Sequence, residues 1–562
     1  MVSVTPMRTV IVGGVAGGMS AATRLRRLDE HAEIVVFERG GYVSFANCGL
    51  PYFVGGIIAD RSALLLQTPQ SLAARFRIEV HTGQEVVTID RTSRIVTVRD
   101  VHTGVRRAER YDNLVLAGGA MTALGRVDDS IPTFTLRTID DVDHITATLD
   151  ARSDLVTGTA VVIGAGFIGL EAVENLVHRG LSVVLVQRNS QVMSPLDPEM
   201  AALVLQRLKA AEVDVRLSTT VLSESDGLLT LSDGTTVTAD LVILASGVYP
   251  DTSLARDAGL RIGESGGIWV DAQQRTSDEH VFAVGDGTEK TDAVDGRGTL
   301  VTMAGLANRH GRAAADTIAG VPTDAAPSLG TSIVGLFDLT IGMLGWSEHR
   351  LVAAGRPARV IHTHPDSHAT YYPGADQMHI KLLVDPATDA ILGAQIIGGA
   401  GVDKRIDILA TAMAGGITAS GLSRLELAYA PQYGSAKDPI NQLGYVADNL
   451  AHGTVTSVQW HELDAAVERG ETLVDVRSAA EFAVGSIPGA LNIPLDELRM
   501  RLDELPDGPL VVHCKVGQRG HTAARLLSQY GFVVRNLDGG YLTWAAGRTA
   551  TESALQPERI TP

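Results

Sequence analysis

Two β-branched segments, each running into a glycine turn and then a helical pattern, constrain this chain more than any other feature. One turn begins at Gly13 and the other at Gly164. The first unit reads as a strand over 9–14, a helix over 19–28 and a strand over 34–38; the second as a strand over 160–164, a helix over 169–179 and a strand over 182–187. Strand, glycine turn, helix and strand form a βαβ unit whose helix N-terminus offers free N–H groups to a phosphate. In the second copy Gly164, Gly166 and Gly169 fill all three positions of the G-x-G-x-x-G pattern. In the first, Gly13-Gly14-Val15-Ala16-Gly17-Gly18 has Val15 in the middle position, so alone it fits a dinucleotide site or a structural turn equally well. Two spaced copies favour dinucleotides. Glu38 follows Gly18 by 20 residues, where a carboxylate accepts from ribose hydroxyls. The matching place in the second unit holds Gln187 and Arg188. A neutral Gln does not repel a 2′-phosphate, so NADPH is expected to serve at least as well as NADH; Arg188 reads equally as a solvated surface charge.

The 562 residues are enough for three to four domains at roughly 150 residues each. A net charge of −18 is opposite to the basic footprint of duplex-binding domains, so no nucleic-acid partner is expected. The uncharged run 40–59 could span a bilayer by length, but its five glycines, Pro51 and Asn47 argue against a membrane helix. Met1 to Arg8 show no basic segment or cleavage site, and only two cysteines occur, Cys48 and Cys514; a reducing, cytoplasmic setting is expected. His362, His364 and His368 fall in a Pro-containing loop without acidic or Cys partners, so no metal site is expected.

Further signals lie downstream. Thr276–Asp286 reads as a strand ending in Gly285-Asp286, and Tyr111–Gly119 as another strand and turn. With the two glycine turns, these segments resemble the two-dinucleotide flavoprotein reductases. The resemblance implies FAD on the first unit and Asp286 toward its ribitol chain; as a residue alone, Asp286 also reads as a helix cap. The Thr of the family's Ala-Thr-Gly turn is Gly118 here, a departure at that contact.

Cys48 sits in Ser44-Phe45-Ala46-Asn47-Cys48-Gly49-Leu50-Pro51-Tyr52, without a Cys-x4-Cys partner. A lone Cys is usually an inert core residue; as a redox group it needs a thiolate stabilised by positive charge or a helix dipole. The segment resembles the single-cysteine reductases, which comprise NADH oxidases, NADH peroxidases and coenzyme A-disulfide reductases. Oxidases and peroxidases of the group carry a His in the first turn, where this chain has Ala16, so the resemblance implies disulfide chemistry. Tyr371–Ala375 and Ala428–Pro439 resemble the dimerisation domains of coenzyme A-disulfide reductases, implying a homodimer in which Tyr371 and Tyr429 approach the partner's cysteine. A phenol can protonate a departing thiolate. Packing is the alternative for both. Ser20, Arg24 and Arg27 share one face of the first helix. It reads as a solvated face, or, with the resemblance, as a coenzyme A phosphate site completed by Ser44 and Asn47.

The last hundred residues carry Val474-Asp475-Val476-Arg477, Gly485–Ala490, His513-Cys514-Lys515-Val516-Gly517-Gln518-Arg519 and Asp538-Gly539-Gly540-Tyr541, and resemble a rhodanese domain. That implies a Cys514 loop whose N–H groups surround an anion or persulfide, closed by Arg519. Ser486 replaces the family's His.

The expected architecture is α/β: two Rossmann-type dinucleotide-binding domains, an α+β dimerisation domain and a C-terminal α/β rhodanese domain. The FAD-binding domain takes 1–150 and 251–325, the NAD(P)H domain 151–250, the dimerisation domain 326–449, a linker 450–457, rhodanese 458–548, and a tail without signal 549–562. The expected activity is NAD(P)H-dependent reduction of coenzyme A disulfide, persulfide or polysulfide, with FAD and coenzyme A as further cofactors. The alternatives are an oxidase or peroxidase with Cys48 as sulfenic acid, and a sulfurtransferase with a regulatory flavin part.

Overall fold

The computed structural model describes residues 6–122, 130–151 and 158–555. The chain forms two compact units, Met1–Val186 with Thr220–Gly330, and Gln187–Thr219 with Thr331–Pro562.

The first unit contains both glycine turns. Its first sheet is parallel, in the order Val281–Ala283, Asn113–Leu116, Arg8–Val12, Glu33–Glu38, Glu79–Thr82. These strands are continuous apolar runs because both faces are covered. One face packs under the helices Ala16–Leu28 and Ala304–Ile318, with Ile11, Val36 and Val115 in the core. The other packs Val10, Val35 and Phe37 against Val96 and Val98 of a three-stranded antiparallel sheet. The second parallel sheet centres on Thr159–Ile163, between Ser182–Val186 and Leu241–Leu244.

The expected boundary at 150 is displaced. Thr133–Phe134 pairs with Leu241–Leu244 and Ile131 joins that core, so the chain enters the second sheet before residue 133. A two-residue strand has no periodicity to read. The 152–157 stretch around the expected boundary lies outside the described residues. The return crossing pairs Val248–Pro250 antiparallel with Ala120–Thr122.

The second unit contains an antiparallel five-stranded sheet, in the order Ser332–Leu336, Leu339–Gly345, Ile391–Gly398, His379–Val384, Arg359–Thr363. The helices Val402–Ala414 and Pro439–Ala451 close its core. A second, parallel sheet follows in the order Ser457–Val458, Val534–Leu537, Leu510–His513, Thr472–Asp475, Leu491–Asn492. The expected linker at 450–457 is shorter, since the preceding helix runs to Ala451 and the next strand starts at Ser457. The expected signal-free tail begins as helix: Gly540–Leu555 is continuous, and Thr549 and Thr551 donate back to the carbonyls of Ala545 and Gly547. Residues 556–562 of that tail lie outside the described residues. Among the described residues no helix is long and apolar enough to cross a membrane.

Candidate active sites

The two glycine turns are copies in three dimensions. Gly13 and Gly164 have φ of +101° and +109°, and a Cβ at Gly18 or Gly169 would stand 1.9 Å from the carbonyl oxygen of Gly13 or Gly164. Only glycine lets strand and helix approach this closely. Val15 and Gly166 precede their helices without a side-chain cap, and neither first turn carries an acidic residue. A Cβ at Gly166 would meet nothing within 4 Å. Uncapped N–H groups fit a phosphate at both helix ends, and at the second the space beside Gly166 is open. Glu38 accepts from the N–H of Gly14 at 2.7 Å and of Gly40 at 2.8 Å, which holds its carboxylate against the first turn. Beside the second turn, Leu136, Arg137, Ile168, Leu244 and Gly247 line a cleft at the strand ends, the usual ligand position in such sheets.

Gly285 and Asp286 lie on a short 3-10 turn after Val281–Ala283, against Gly17 of the first helix. Burial pushes the Asp286 carboxyl up, against the pull of Lys290 and Arg137. Lys290 is buried and donates to the carbonyls of Gly285 and Thr288; burial pushes it down to about 8. A Cβ at Gly118 would touch nothing within 4 Å.

The Cys48 segment rests on the first turn. The Ser44 N–H donates to Gly14 O at 2.8 Å, its carbonyl accepts from Leu66, and Ser44 itself is left-handed, φ +48°. Asn47 and Cys48 follow on the 3-10 turn Asn47–Gly49, both exposed, leading into the helix Leu50–Val54. Gly55, at the end of that helix, abuts Asn175 of the second-turn helix Phe167–His178, and Tyr52 donates to Glu171 of the same helix at 3.1 Å. The cysteine segment is thus braced between both βαβ units. The expected positive surroundings are not what the structure provides. Desolvation, then the carboxylates of Glu171 and Asp286, push the Cys48 thiol up, and only a backbone hydrogen bond opposes them. Burial also pushes Glu171 up, and Tyr52 is driven well above the usual phenol range, by desolvation first and Glu171 second.

The expected cationic face of the first helix is largely spent within the chain. Ser20 donates to Asn308 at 2.7 Å and Arg24 pairs with Asp316 at 2.6 Å, both on the helix Ala304–Ile318. Arg27 is exposed and has no ion-pair partner among the described residues. It alone of the three remains available to a ligand phosphate.

In the second unit, Gln187 is buried with its amide toward Gln191 O and Ser194 Oγ, and Arg188 is exposed. The hydroxyls of Tyr371 and Tyr429 hydrogen-bond at 2.7 Å on the surface, where the side chains are 74% and 47% exposed. That bond pushes Tyr429 up.

The three histidines do not share a loop. His362 is on the strand Arg359–Thr363, fully buried, and does have acidic partners: Nδ1 lies 2.7 Å from Asp538 and Nε2 3.1 Å from Glu199. His364 meets Nδ1 of His379 and the Thr543 hydroxyl, and His368 the Ala369 carbonyl. One carboxylate cluster, Asp197, Glu199 and Glu348, has the spacing of a metal site. Its centre is filled by the ammonium of Lys381, 3.0, 2.5 and 2.7 Å from the three.

Cys514 follows the strand Leu510–His513 and is buried, unlike Cys48. Its loop turns at Gly517, φ +88°, into the helix Gln518–Gln529. Arg519 is gripped by Glu481 through two bonds of 2.8 and 2.6 Å, and that grip holds the Glu481 carboxyl down to about 2. Asp475 pairs with Arg477, whose guanidinium lies 4.5 Å from the Tyr541 ring centroid.

Comparison with known proteins follows this division. Residues 7–306 match the pyridine nucleotide-disulphide oxidoreductase family, 331–438 its dimerisation domain and 459–547 the rhodanese-like domain. The coenzyme A disulfide reductase of Staphylococcus haemolyticus is 34% identical over 445 residues, 79% of this chain and 100% of its own length. The crystal structure of reduced Bacillus anthracis CoADR-RHD superposes with a TM-score of 0.94 at 43% identity, covering 97% of this chain and 98% of that one. An NAD-dependent persulfide reductase from A. fulgidus superposes with a TM-score of 0.89 at 35% identity, over 96% and 100%.

Proposed function

Because the chain belongs to the pyridine nucleotide-disulphide oxidoreductase family and ends in a rhodanese-like domain, we propose that it reduces coenzyme A disulfide or persulfide with NAD(P)H and exchanges sulfane sulfur at Cys514. The observation that carries this reading is Cys48: a lone, exposed thiol on a segment braced between two dinucleotide turns, with the only other cysteine in the other unit.

FAD on the first turn and NAD(P)H on the second would supply the two electrons, as hydride chemistry. Gly13, Gly14, Gly17, Gly18, Glu38, Gly285 and Asp286 would hold the first, and Gly164, Gly166 and Gly169 the second; the sequence pattern puts Gln187 and Arg188 forward for the choice between NADPH and NADH. With coenzyme A disulfide, the Cys48 sulfur attacks one sulfur, a Cys48–coenzyme A disulfide forms and a coenzyme A thiolate leaves; with the persulfide, attack on the sulfur bonded to coenzyme A forms the same disulfide and hydrosulfide leaves. Two electrons then break the mixed disulfide, returning Cys48 and a coenzyme A thiolate. Glu171 and Asp286 disfavour a standing thiolate at Cys48. Tyr371 and Tyr429, acting in a homodimer on the partner subunit's Cys48, donate a proton to the departing thiolate. Arg27, Ser44 and Asn47 hold the coenzyme A. At Cys514 the loop N–H groups and Arg519 hold the persulfide. Two free cysteines 466 positions apart suit a reducing cytoplasm.

Anaerobic NAD(P)H oxidation tests the reading, with coenzyme A disulfide, its persulfide, polysulfide, O2 and H2O2 as separate acceptors. Fast turnover with sulfur acceptors and slow turnover with oxygen species supports it. The reverse order favours the sulfenic acid alternative, against which Ala16 stands.

A further inference from the structure

The buried contacts of His362 belong to neither redox centre, and their geometry runs straight to the Cys514 loop. His362 is on the antiparallel sheet, yet its backbone N–H and its Nδ1 both engage the same oxygen of Asp538, at 2.9 and 2.7 Å. Asp538 opens the turn Gly539-Gly540, both residues left-handed at φ +66° and +63°. A Cβ at Gly539 would stand 2.8 Å from the Cβ of His362, and one at Gly540 would stand 2.5 Å from the Cys514 carbonyl oxygen. The turn is therefore a two-residue spacer, with His362 on one side and the sulfur loop on the other. Immediately after it, the N–H groups of Tyr541 and Leu542 donate to the carbonyls of Cys514 and Lys515 at 2.8 and 3.0 Å. A peptide unit is planar and trans, so holding a carbonyl outward points the next residue's N–H the opposite way. The anchors on Cys514 and Lys515 thus direct the N–H groups of Lys515 and Val516 toward the side of the loop where sulfur is held. The clamp is rigid behind His362 as well: Nε2 lies 3.1 Å from Glu199, whose carboxylate is locked by Lys381. Burial alone would push His362 down, but Asp538 and Glu199 outweigh it and raise the imidazole to about 9, so it donates from both nitrogens at neutral pH.

We propose that His362 is a positioning residue for the sulfurtransferase loop, setting the N–H groups around Cys514 by holding Asp538 and the Gly539-Gly540 turn. The inference rests on the reading of Cys514 as the sulfur acceptor, and it gives the flavoprotein's own dimerisation sheet control over the geometry of the fused domain.

The test uses the full-length holoenzyme and two variants that split the imidazole into halves. An asparagine amide reaches about as far as Nδ1 and can still donate to Asp538; a glutamine amide reaches about as far as Nε2 and can still donate to Glu199. Sulfur transfer from thiosulfate to coenzyme A thiol or cyanide is measured as kcat and KM against pH, beside NAD(P)H-dependent coenzyme A-disulfide reduction. His362→Gln should lower kcat/KM for thiosulfate about tenfold, mostly through KM for the anion. His362→Asn should stay within about threefold of wild type, and both should keep disulfide reduction within about twofold. Asp538→Ala should reproduce the glutamine variant and Asp538→Asn, which keeps an acceptor oxygen, should not. Equal losses in His362→Asn and His362→Gln, a loss shared by disulfide reduction, or full transfer activity in His362→Gln and Asp538→Ala would each overturn the positioning role. A wild-type enzyme that loads no sulfur on Cys514 overturns the sulfurtransferase reading itself, an outcome recognisable before any variant is made.

Discussion

Replacing Lys381 by Met tests the buried charge cluster of the second unit. The methionine keeps an unbranched apolar stem as far as the ε position and removes the ammonium. The ammonium is wholly buried and touches Asp197, Glu199 and Glu348, of which the first two are themselves almost fully buried. In the wild type, Lys381 opposes their desolvation and holds both carboxyls below the usual range, with Gln395, His349 and His362 completing the bonds. Removing one partner of a buried pair leaves uncompensated charge and costs about 3–5 kcal/mol. At about 2–4 °C per kcal/mol for a domain of this size, the second unit should melt about 6–20 °C below wild type. The deficit depends on pH in a defined direction. The depressed carboxyls give stability that is present above their unfolded value of about 4 and is lost only as pH falls through their lower folded values. Without the ammonium, burial raises these groups instead, so the variant is worst at pH 7–8 and recovers toward wild type near pH 5, where the carboxyls take up protons. Calorimetry of both proteins at pH 5.0, 6.0 and 7.5, resolving the transition of the second unit, gives the comparison. A melting deficit under about 3 °C, or one independent of pH, would refute the electrostatic reasoning.

Three further outcomes concern function. Gln187→Glu places a carboxylate where a 2′-phosphate would lie, so kcat/KM for NADPH should fall at least tenfold while NADH changes little; wild-type kinetics with a strong NADH preference would count against the role of Gln187 and Arg188. Mixed dimers of Cys48→Ser with Tyr429→Phe subunits should recover part of the disulfide-reducing activity that each homodimer lacks, because one of the two sites regains a thiol and a phenol; proven heterodimers without recovery would rule out sharing across the interface. Cys514→Ser should leave coenzyme A-disulfide reduction within about twofold but cut NAD(P)H oxidation driven by a sulfane donor and catalytic coenzyme A severalfold, read by absorbance at the nicotinamide band; equal loss in both assays would mean that Cys514 supports folding instead.

What the sequence made legible was local. Each glycine turn is a contiguous signature, so both could be read without neighbours. Cys48 and Cys514 stood out because so few cysteines exist. The pairing of Thr133–Phe134 with the second sheet was hidden, since two residues hold no period and their partner is more than 100 positions away. The same limit explains the site residues that were missed. Glu171 lies two residues past Gly169 on a helix that was read, but its partner Tyr52 reaches it from across 119 positions. Tyr52 is one helical turn beyond Cys48, a spacing that could have been noticed. Lys290 follows Asp286 by four among Thr288, Glu289, Thr291 and Asp292, a polar setting that reads as a solvated charge, and only the fold buries it. Arg24 looked free on its helix face because Asp316 is 292 residues distant. His362 was taken with its neighbours in a loop because Pro365 dominates the local pattern, whereas its carboxylate partners arrive from Glu199 and Asp538.

The mass of the Cys48 peptide tests the central claim most directly. Enzyme reduced with NAD(P)H, freed of excess nucleotide and exposed anaerobically to coenzyme A disulfide should carry coenzyme A in disulfide linkage on Cys48 and none on Cys514. Renewed NAD(P)H should remove it at the rate of turnover, and Cys48→Ser should never acquire it while keeping its flavin absorbance. A Cys48 that stays unmodified by coenzyme A disulfide, yet is trapped as sulfenic acid after H2O2 during turnover, would contradict the account and make the chain a peroxide- or oxygen-reducing enzyme.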